Sequence, residues 1–279
     1  MKKILLLFLS LIVLTSCKTL NKNVTHEQMI AMGSNDAKLL VNTPDYKKCK
    51  EGKKEIDDIT VKNNLWGKAK VKSGRAELCT YVKGNTYGWE WKVDKGASGV
   101  IGYPAIEVGR SPWGNKSRKG EDGFPIKVTE IESLPVSYDF ETLVKHKKFN
   151  LSFDIWLTNV PNANKDNITT EIMIWEDYFD FSSYGKVIDK IATPFGLYKV
   201  YKGYLKNDNY SQDWVYLAFV RETPRSQGEV EIKYFLDYLL RKKHISQNDY
   251  FASVELGNEI GNSSGLTLVR NFEWDLKVK

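Results

Sequence analysis

Short runs of alternating apolar residues, broken every few positions by Gly, Asn, Asp or Pro, restrict the fold of this chain more than any other feature. They fall at 76–82, 89–93, 149–157, 169–175, 198–204, 214–221, 250–256 and 266–278. A period of two places one face of a strand on a core, and runs this dense, with turn residues between them, define an all-β sandwich or barrel. One segment has a helical period instead. Val230, Tyr234, Phe235, Tyr238 and Leu239 recur at helical spacing, and Arg241-Lys242-Lys243-His244 supplies cations where a helix C-terminus favours them. A single amphipathic helix of about three turns is therefore expected to pack on the outside of a sheet. The chain shows no internal repeat, low-complexity run or second domain.

The first residues follow a different logic. Met1-Lys2-Lys3 is a basic start, residues 4–14 are an apolar run too short for a comfortable transmembrane helix, and Leu14-Thr15-Ser16-Cys17 resembles a bacterial lipobox. Residues 1–17 thus read as a lipoprotein signal peptide, with Cys17 as the lipidated N-terminus of an exported chain anchored to a bacterial membrane, on its periplasmic or cell-surface face. The alternatives are an ordinary signal peptide or a short anchor helix. No other segment is apolar enough to span a bilayer. Residues 18–45 are polar and read as a tether with a short helical turn near 26–32; the folded domain is expected over 46–279.

Charge excludes one class of partner. Without the two leader lysines, 39 basic residues face 35 acidic ones, and the lysines are scattered rather than striped, so no nucleic-acid footprint is present. The three histidines, His26, His146 and His244, have no metal-ligand spacing, and there is no CxxC, so neither a zinc nor a redox site is expected. With Cys17 lipidated, Cys49 and Cys79 are left to pair after export, or to remain as two buried thiols. Closing that loop of about 30 residues would add roughly 3–4 kcal/mol. Gly261-Asn262-Ser263-Ser264-Gly265 matches G-x-S-x-G, but a strand rather than a helix follows it, so it reads as a hairpin turn.

The carboxylates carry the functional signal. On a strand, Glu171-Ile172-Met173-Ile174-Trp175 puts Glu171, Met173 and Trp175 in one row and the isoleucines in the other. Acid, thioether and flat aromatic make a poor solvent face and a sensible floor for a sugar cleft. Asp154 likewise shares a strand face with Trp156, and a second glutamate stands in Gly257-Asn258-Glu259-Ile260-Gly261. A lone strand glutamate is usually solvent-facing; the shared aromatic company argues otherwise. Retaining glycosidases hold two carboxyls about 5–5.5 Å apart. At an effective dielectric of 20 the two charges would repel by about 3 kcal/mol, so one stays protonated as an acid while the other is a nucleophile.

At these residues the chain resembles glycoside hydrolase family 12, the endo-β-1,4-glucanases and xyloglucanases. The likeness runs in order through Asn63-Asn64-Leu65-Trp66-Gly67, Phe153-Asp154-Ile155-Trp156-Leu157, Glu171-Ile172-Met173-Ile174-Trp175 and Gly257-Asn258-Glu259, with Gly265 beyond. The resemblance implies a β-jelly-roll sandwich of two curved antiparallel sheets with a concave cleft. It implies Glu171 as nucleophile, Glu259 as general acid/base and Asp154 as supporting acid, with Asn64, Trp66, Met173 and Trp175 lining the sugar subsites. The order Cys, Asn-Asn-Leu-Trp-Gly, Cys supports a Cys49–Cys79 disulfide. The implied reaction is endo-hydrolysis of a β-1,4-glucan with retention, without metal or cofactor. Apart from the resemblance, a monomer is the default, and the membrane is expected to be touched only through the lipid. The stretch after Glu259 departs from the more familiar members, Trp89 and Trp91 match only loosely, and the loop over 109–123 has no assigned role. The rival reading is a non-catalytic glycan-binding lipoprotein on the same sandwich; a purely structural lipoprotein would leave the Glu/Met/Trp row unexplained.

Overall fold

The computed structural model describes residues 18–20, 24–94, 96–97, 99–113, 123–145, 148–206 and 213–279, with the backbone alone at 18–20 and 26. Cys17 and His146 lie outside the described residues. Two curved sheets face each other, as a jelly-roll sandwich requires. Strands are numbered in chain order. The outer sheet runs β1 (Lys18–Leu20), β10 (Pro135–Lys145), β18 (Ser264–Trp274), β6 (Thr86–Val93), β5 (Ala76–Lys83) and β2 (Tyr46–Lys48), with β16 (Gln227–Glu231) also on β10. The inner sheet runs β13 (Lys186–Thr193), β14 (Gly196–Leu205), β15 (Trp214–Arg221), β12 (Ile168–Phe179), β11 (Phe149–Thr158), β17 (Tyr250–Gly257), β7 (Ala105–Gly109), β4 (Ile59–Asn63) and β3 (Gly52–Ile56); β8 (Ile126–Lys127) pairs with β17. Its β12–β15 contact is parallel, a departure from a purely antiparallel pair of sheets.

Alternation dictates which side chains meet between the sheets. Phe149, Leu151, Phe153, Ile155 and Leu157 of β11, with Ile172 and Ile174 of β12, join Phe140 of β10 and Phe219 of β15 in the main core. All ten residues of β11 are buried, including Ser152, Asp154 and Trp156 on its other face. The alternation there reports chemistry rather than exposure. Helix α3 (Ile232–Arg241) adds Phe235, Leu236 and Leu239 to the same core. Val230, expected in that helix, belongs instead to β16, where it pairs with Val136. The Glu231 carboxylate caps the start, accepting from Lys233 N at 3.0 Å and from Leu134 N at 2.7 Å.

Two sequence expectations need correction. Residues 24–42 are not a free tether. They form α1 (His26–Met32) and α2 (Asn35–Asn42), capped by Thr25 and Ser34. Met29, Ile30, Ala37 and Leu40 pack on Tyr81, Leu143, Leu266 and Leu268, covering the outward face of the outer sheet. Arg270 secures them, donating to Asp36 at 3.1 Å and to the Ser34 hydroxyl at 3.2 Å. Few apolar residues in a polar segment give weak periodicity, yet four suffice when a sheet offers an apolar patch. The last expected strand also divides: β18 ends at Trp274, and β19 (Lys277–Val278) pairs with β9 (Ile131–Ser133). Cys49 and Cys79 form the expected disulfide.

On the core face of β12, in the row of Ile172 and Ile174, Glu176 lies fully buried. Tyr138 of the outer sheet donates to it, as do Tyr198 and the Arg225 guanidinium, both at 2.6 Å, and Arg221 stands at 3.7 Å. A buried carboxylate is stable only with such partners, and its loss would leave Arg225 uncompensated. Glu176→Ala is expected to reduce the unfolding free energy in urea by about 3–5 kcal/mol, and Glu176→Gln by less. Equal stability of Glu176→Ala and the parent would refute this role.

Candidate active site

The concave face of the inner sheet is built by register. Glu171 pairs with Trp156 on one side and Tyr216 on the other. Met173 pairs with Asp154, which pairs across with Glu255 of β17, and Glu255 with Glu107 of β7. Adjacent strands are about 4.8 Å apart, so four strands bring Glu171, Asp154, Glu255 and Glu107 to one floor. Lys62 of β4, the strand beyond β7, reaches in and bridges Glu107 and Glu255, at 2.8 Å from each.

Glu259 arrives differently. It follows β17 and is held over the floor by an asparagine network. Its N–H donates to Asn150 Oδ1 at 2.8 Å, and Asn150 Nδ2 donates to Glu259 Oε2. The neighbouring Asn258 is buried; its Oδ1 accepts from Trp89 Nε1 and Thr267 Oγ1, both at 2.7 Å, and its Nδ2 donates to Asn150 O. Trp89 is thus a core anchor for this loop rather than a sugar platform. Trp91 is likewise buried and donates at 2.9 Å to the Ser263 hydroxyl, which occupies the turn read from the G-x-S-x-G match.

Electrostatics separates the carboxyls. Glu171 and Glu259 are each partly exposed and reachable, whereas Asp154 is buried. Burial pushes Glu171 up to about 7, opposed by the Trp214 N–H that donates to Oε2 at 2.9 Å and helped by the charge of Glu255. Burial pushes Glu259 up to about 8, with the charge of Glu171 adding and the Asn150 hydrogen bond opposing. Asp154 is held well above the carboxylate range by burial and by Glu171, Glu255 and Glu259, and its Oδ1 has no hydrogen-bond partner among the described residues. Lys62 keeps its proton because Glu107 and Glu255 outweigh the penalty of burial. Near neutrality the floor therefore holds a mixed set of charged and protonated acids.

The implied subsite residues divide. Trp66 is half exposed, with Lys70 Nζ 4.4 Å from its ring centroid, and half-buried Asn64 is placed by its backbone carbonyl, which accepts from Tyr103 N at 2.9 Å. Met173 and Trp175 are on the concave face but only 1% exposed, so neither offers a ring or thioether face to a sugar. Tyr216 donates to Met173 Sδ at 3.3 Å, and Phe181 covers Trp175 with ring centroids 5.6 Å apart. They form the layer beneath the cleft. The start of the 109–123 loop does acquire a place: Trp113 meets Trp156 and Trp214 edge-on, at 5.2 and 5.9 Å, rimming the cleft beside Glu171; residues 114–122 lie outside the described residues.

Lys62, Glu107, Glu255, Asn150 and Trp214 escaped the sequence reading. Glu107 and Glu255 left a signal, each a lone acid inside an apolar strand (Ala105-Ile106-Glu107-Val108 and Ser253-Val254-Glu255-Leu256), the same pattern that marked Asp154. Asn150 and Trp214 left none, because their partners are 109 and 43 residues away.

Two reachable carboxyls that do not both ionise at neutrality, on the concave face of a β-sandwich, are the machinery of a glycosidase-type hydrolase. The sequence profile of glycosyl hydrolase family 12 matches residues 57–277, and the chain belongs to that family as a glycoside hydrolase. It is 28% identical over 220 residues to endoglucanase S of Pectobacterium parmentieri, covering 78% of this chain and 80% of that one. It is 24% identical over 220 residues to xyloglucan-specific endo-beta-1,4-glucanase A of Emericella nidulans, covering 76% and 82%. The native family 12 xyloglucanase from Bacillus licheniformis shares the fold with a TM-score of 0.75 at 24% identity, over 83% of this chain and all of that one. Endoglucanase Cel12A from Rhodothermus marinus does so with a TM-score of 0.69 at 23% identity, over 84% and 100%.

The raised carboxyls make a stability prediction. An acid whose folded pKa exceeds its unfolded value binds extra protons in the native state, so stability is lost as pH rises through that interval. The interval is 4.5 to about 7 for Glu171 and 4.5 to about 8 for Glu259. Glu171→Gln and Glu259→Gln should each raise Tm at pH 8, by several degrees, and change it little at pH 4. Thermal unfolding at both pH values checks this; equal shifts at the two would contradict it.

Proposed function

We propose that the protein hydrolyses internal β-1,4 linkages of a soluble β-glucan, such as xyloglucan, mixed-linkage glucan or a cellulose derivative, with net retention. The observation that carries this reading is the convergence of Glu171, Glu259 and Asp154 on one concave face. Family membership and the names of the curated relatives support the substrate class.

Glu171 is the nucleophile. With Oε2 occupied by the Trp214 N–H, Oε1 is the oxygen free to attack the anomeric carbon. Glu259, which holds its proton to higher pH, gives it to the glycosidic oxygen as that bond breaks. A glycosyl ester on Glu171 and a shortened glucan result. Glu259, now a carboxylate, takes a proton from water; the hydroxide oxygen attacks the anomeric carbon, the ester bond breaks, and Glu171 leaves as carboxylate. Protonated Asp154 acts as a hydrogen-bond donor on the floor, stabilising charge on Glu171 between turnovers. Asn64 and half-exposed Trp66 hold sugar units toward β4. The protein acts as a monomer, exported and tethered to a bacterial membrane through lipid on Cys17.

Reducing-sugar release by residues 18–279 from xyloglucan, mixed-linkage β-glucan and carboxymethylcellulose tests the activity. Glu171→Gln should reduce it at least about a thousandfold, or about 4 kcal/mol in the barrier, while glucan binding persists. Glu259→Gln should recover part of its activity with azide on an aryl glycoside. An unchanged rate in Glu171→Gln would end the nucleophile assignment. For the anchor, the full chain expressed in a bacterium should partition into the detergent phase of Triton X-114 and Cys17→Ser into the aqueous phase; identical partitioning would refute lipidation.

A further inference from the structure

On the far side of Glu171 from Trp66, the cleft continues over β15 and β14, and its surface there changes character. Tyr216 is across from Glu171 on β15, and Gly203 is across from Tyr216 on β14. The segment joining β12 to β13 folds over this region. Its Phe181 covers Trp175, its Ser183 hydroxyl stands 3.1 Å from the Tyr216 hydroxyl, and Gly185, at φ +88°, lets it pass against the Lys202 backbone. Phe181 and Ser183 are half-buried, whereas the Tyr184 ring is turned out, with 52% of its surface exposed.

That ring is exposed but not loose. It lies on Gly203, where a Cβ would come within 2.5 Å of Tyr184 Cε1, so the glycine is what allows the ring to seat there. Its hydroxyl donates to the Tyr204 carbonyl at 3.0 Å, and its ring makes a T-shaped contact with Tyr216, centroids 5.7 Å apart and planes at 75°. An aromatic ring fixed at three points and open on one face is a preformed stacking surface. Two strand spacings, roughly 9–10 Å, separate its seat on β14 from the strand of Glu171.

The two arms of the cleft differ in chemistry. Toward β4 the floor is polar, built by the buried Asp154, Glu255 and Glu107 and by Lys62, with half-exposed Trp66 beyond them, and its acids suit the unit on which positive charge develops at the anomeric carbon. Toward β14 the Tyr216–Tyr184 surface is aromatic, suited to a unit that must leave. A β-linked glucosyl residue carries equatorial hydroxyls at its rim and axial C–H bonds on its faces, which match a flat ring. We propose that Tyr184 is the stacking platform of a leaving-group-side subsite that takes a glucosyl unit of the departing chain; this rests on the assignment of Glu171 as nucleophile.

Tyr184→Ala and Tyr184→Trp, assayed on the best polymeric glucan and on a cello-oligoside with a small nitrophenyl leaving group, test this. Tyr184→Ala should lower kcat/KM on the polymer by about tenfold, the scale of one aromatic contact, and on the nitrophenyl glycoside by less than about twofold. Tyr184→Trp should restore polymer cleavage. Transfer of glycosyl units to added cellobiose, relative to hydrolysis, should fall in Tyr184→Ala alone. Equal losses on both substrates, or no loss on the polymer, would overturn the assignment. If the parent cleaves neither substrate, the Glu171 reading fails, and the subsite falls with it.

Discussion

The site depends on the register of β11 between β12 and β17. That pairing sets Asp154 between Met173 and Glu255, Trp156 beside Glu171, and Asn150 where it can hold Glu259 from both its backbone and its carboxylate. A slip of one residue would reverse the faces, driving Asp154 into the core and Phe153 into the cleft. The phenylalanine, isoleucine and leucine row against the outer sheet is what forbids the slip. Hydrophobic packing on one face of a strand thereby determines the acid geometry on the other.

The same burial that fixes the geometry supplies the chemistry. Four acids share the concave floor, with Lys62 as the cation that bridges two of them, Glu107 and Glu255. It leaves Asp154 and the Glu171–Glu259 pair to settle their charge by protonation. Desolvation is the dominant cause of each raised carboxyl, and neighbouring charge is secondary. The folded state is less stable for holding them, a trade expected where reactivity needs an acid that keeps its proton near neutrality. Behind the floor, Glu176 shows the opposite solution: a fully buried carboxylate surrounded by two tyrosines and two arginines, stapling β12 to the outer sheet.

Much of this was legible in the sequence, and the limits have physical reasons. Period-two runs gave the all-β sandwich, because packing between sheets forces one apolar row per strand. The company of Trp and Met beside acids picked out Glu171 and Asp154 as floor residues. What alternation cannot tell is whether the second row is open: Met173 and Trp175 share the face of Glu171 but lie under Tyr216 and Phe181, brought there by a parallel neighbour and by the segment that follows β12. The helical turn expected near 26–32 is α1, but α2 and the packing of both helices were hidden because their few apolar residues gain meaning only against the patch formed by Tyr81, Leu143, Leu266 and Leu268. Lys62, on a short strand between Val61 and Asn63, looked like an ordinary surface lysine; two acids from β7 and β17 make it internal.

The central claim is that Glu171 forms a covalent bond to the sugar. The direct measurement is peptide mapping by mass spectrometry after incubation with an aryl 2-deoxy-2-fluoro-β-cellobioside, whose slow hydrolysis lets a glycosyl ester accumulate. One added fluorocellobiosyl group per protein is expected, located on Glu171, with parallel loss of activity. The same group on Asp154, Glu255 or Glu259 would contradict it, as would glucan hydrolysis with inversion and no adduct.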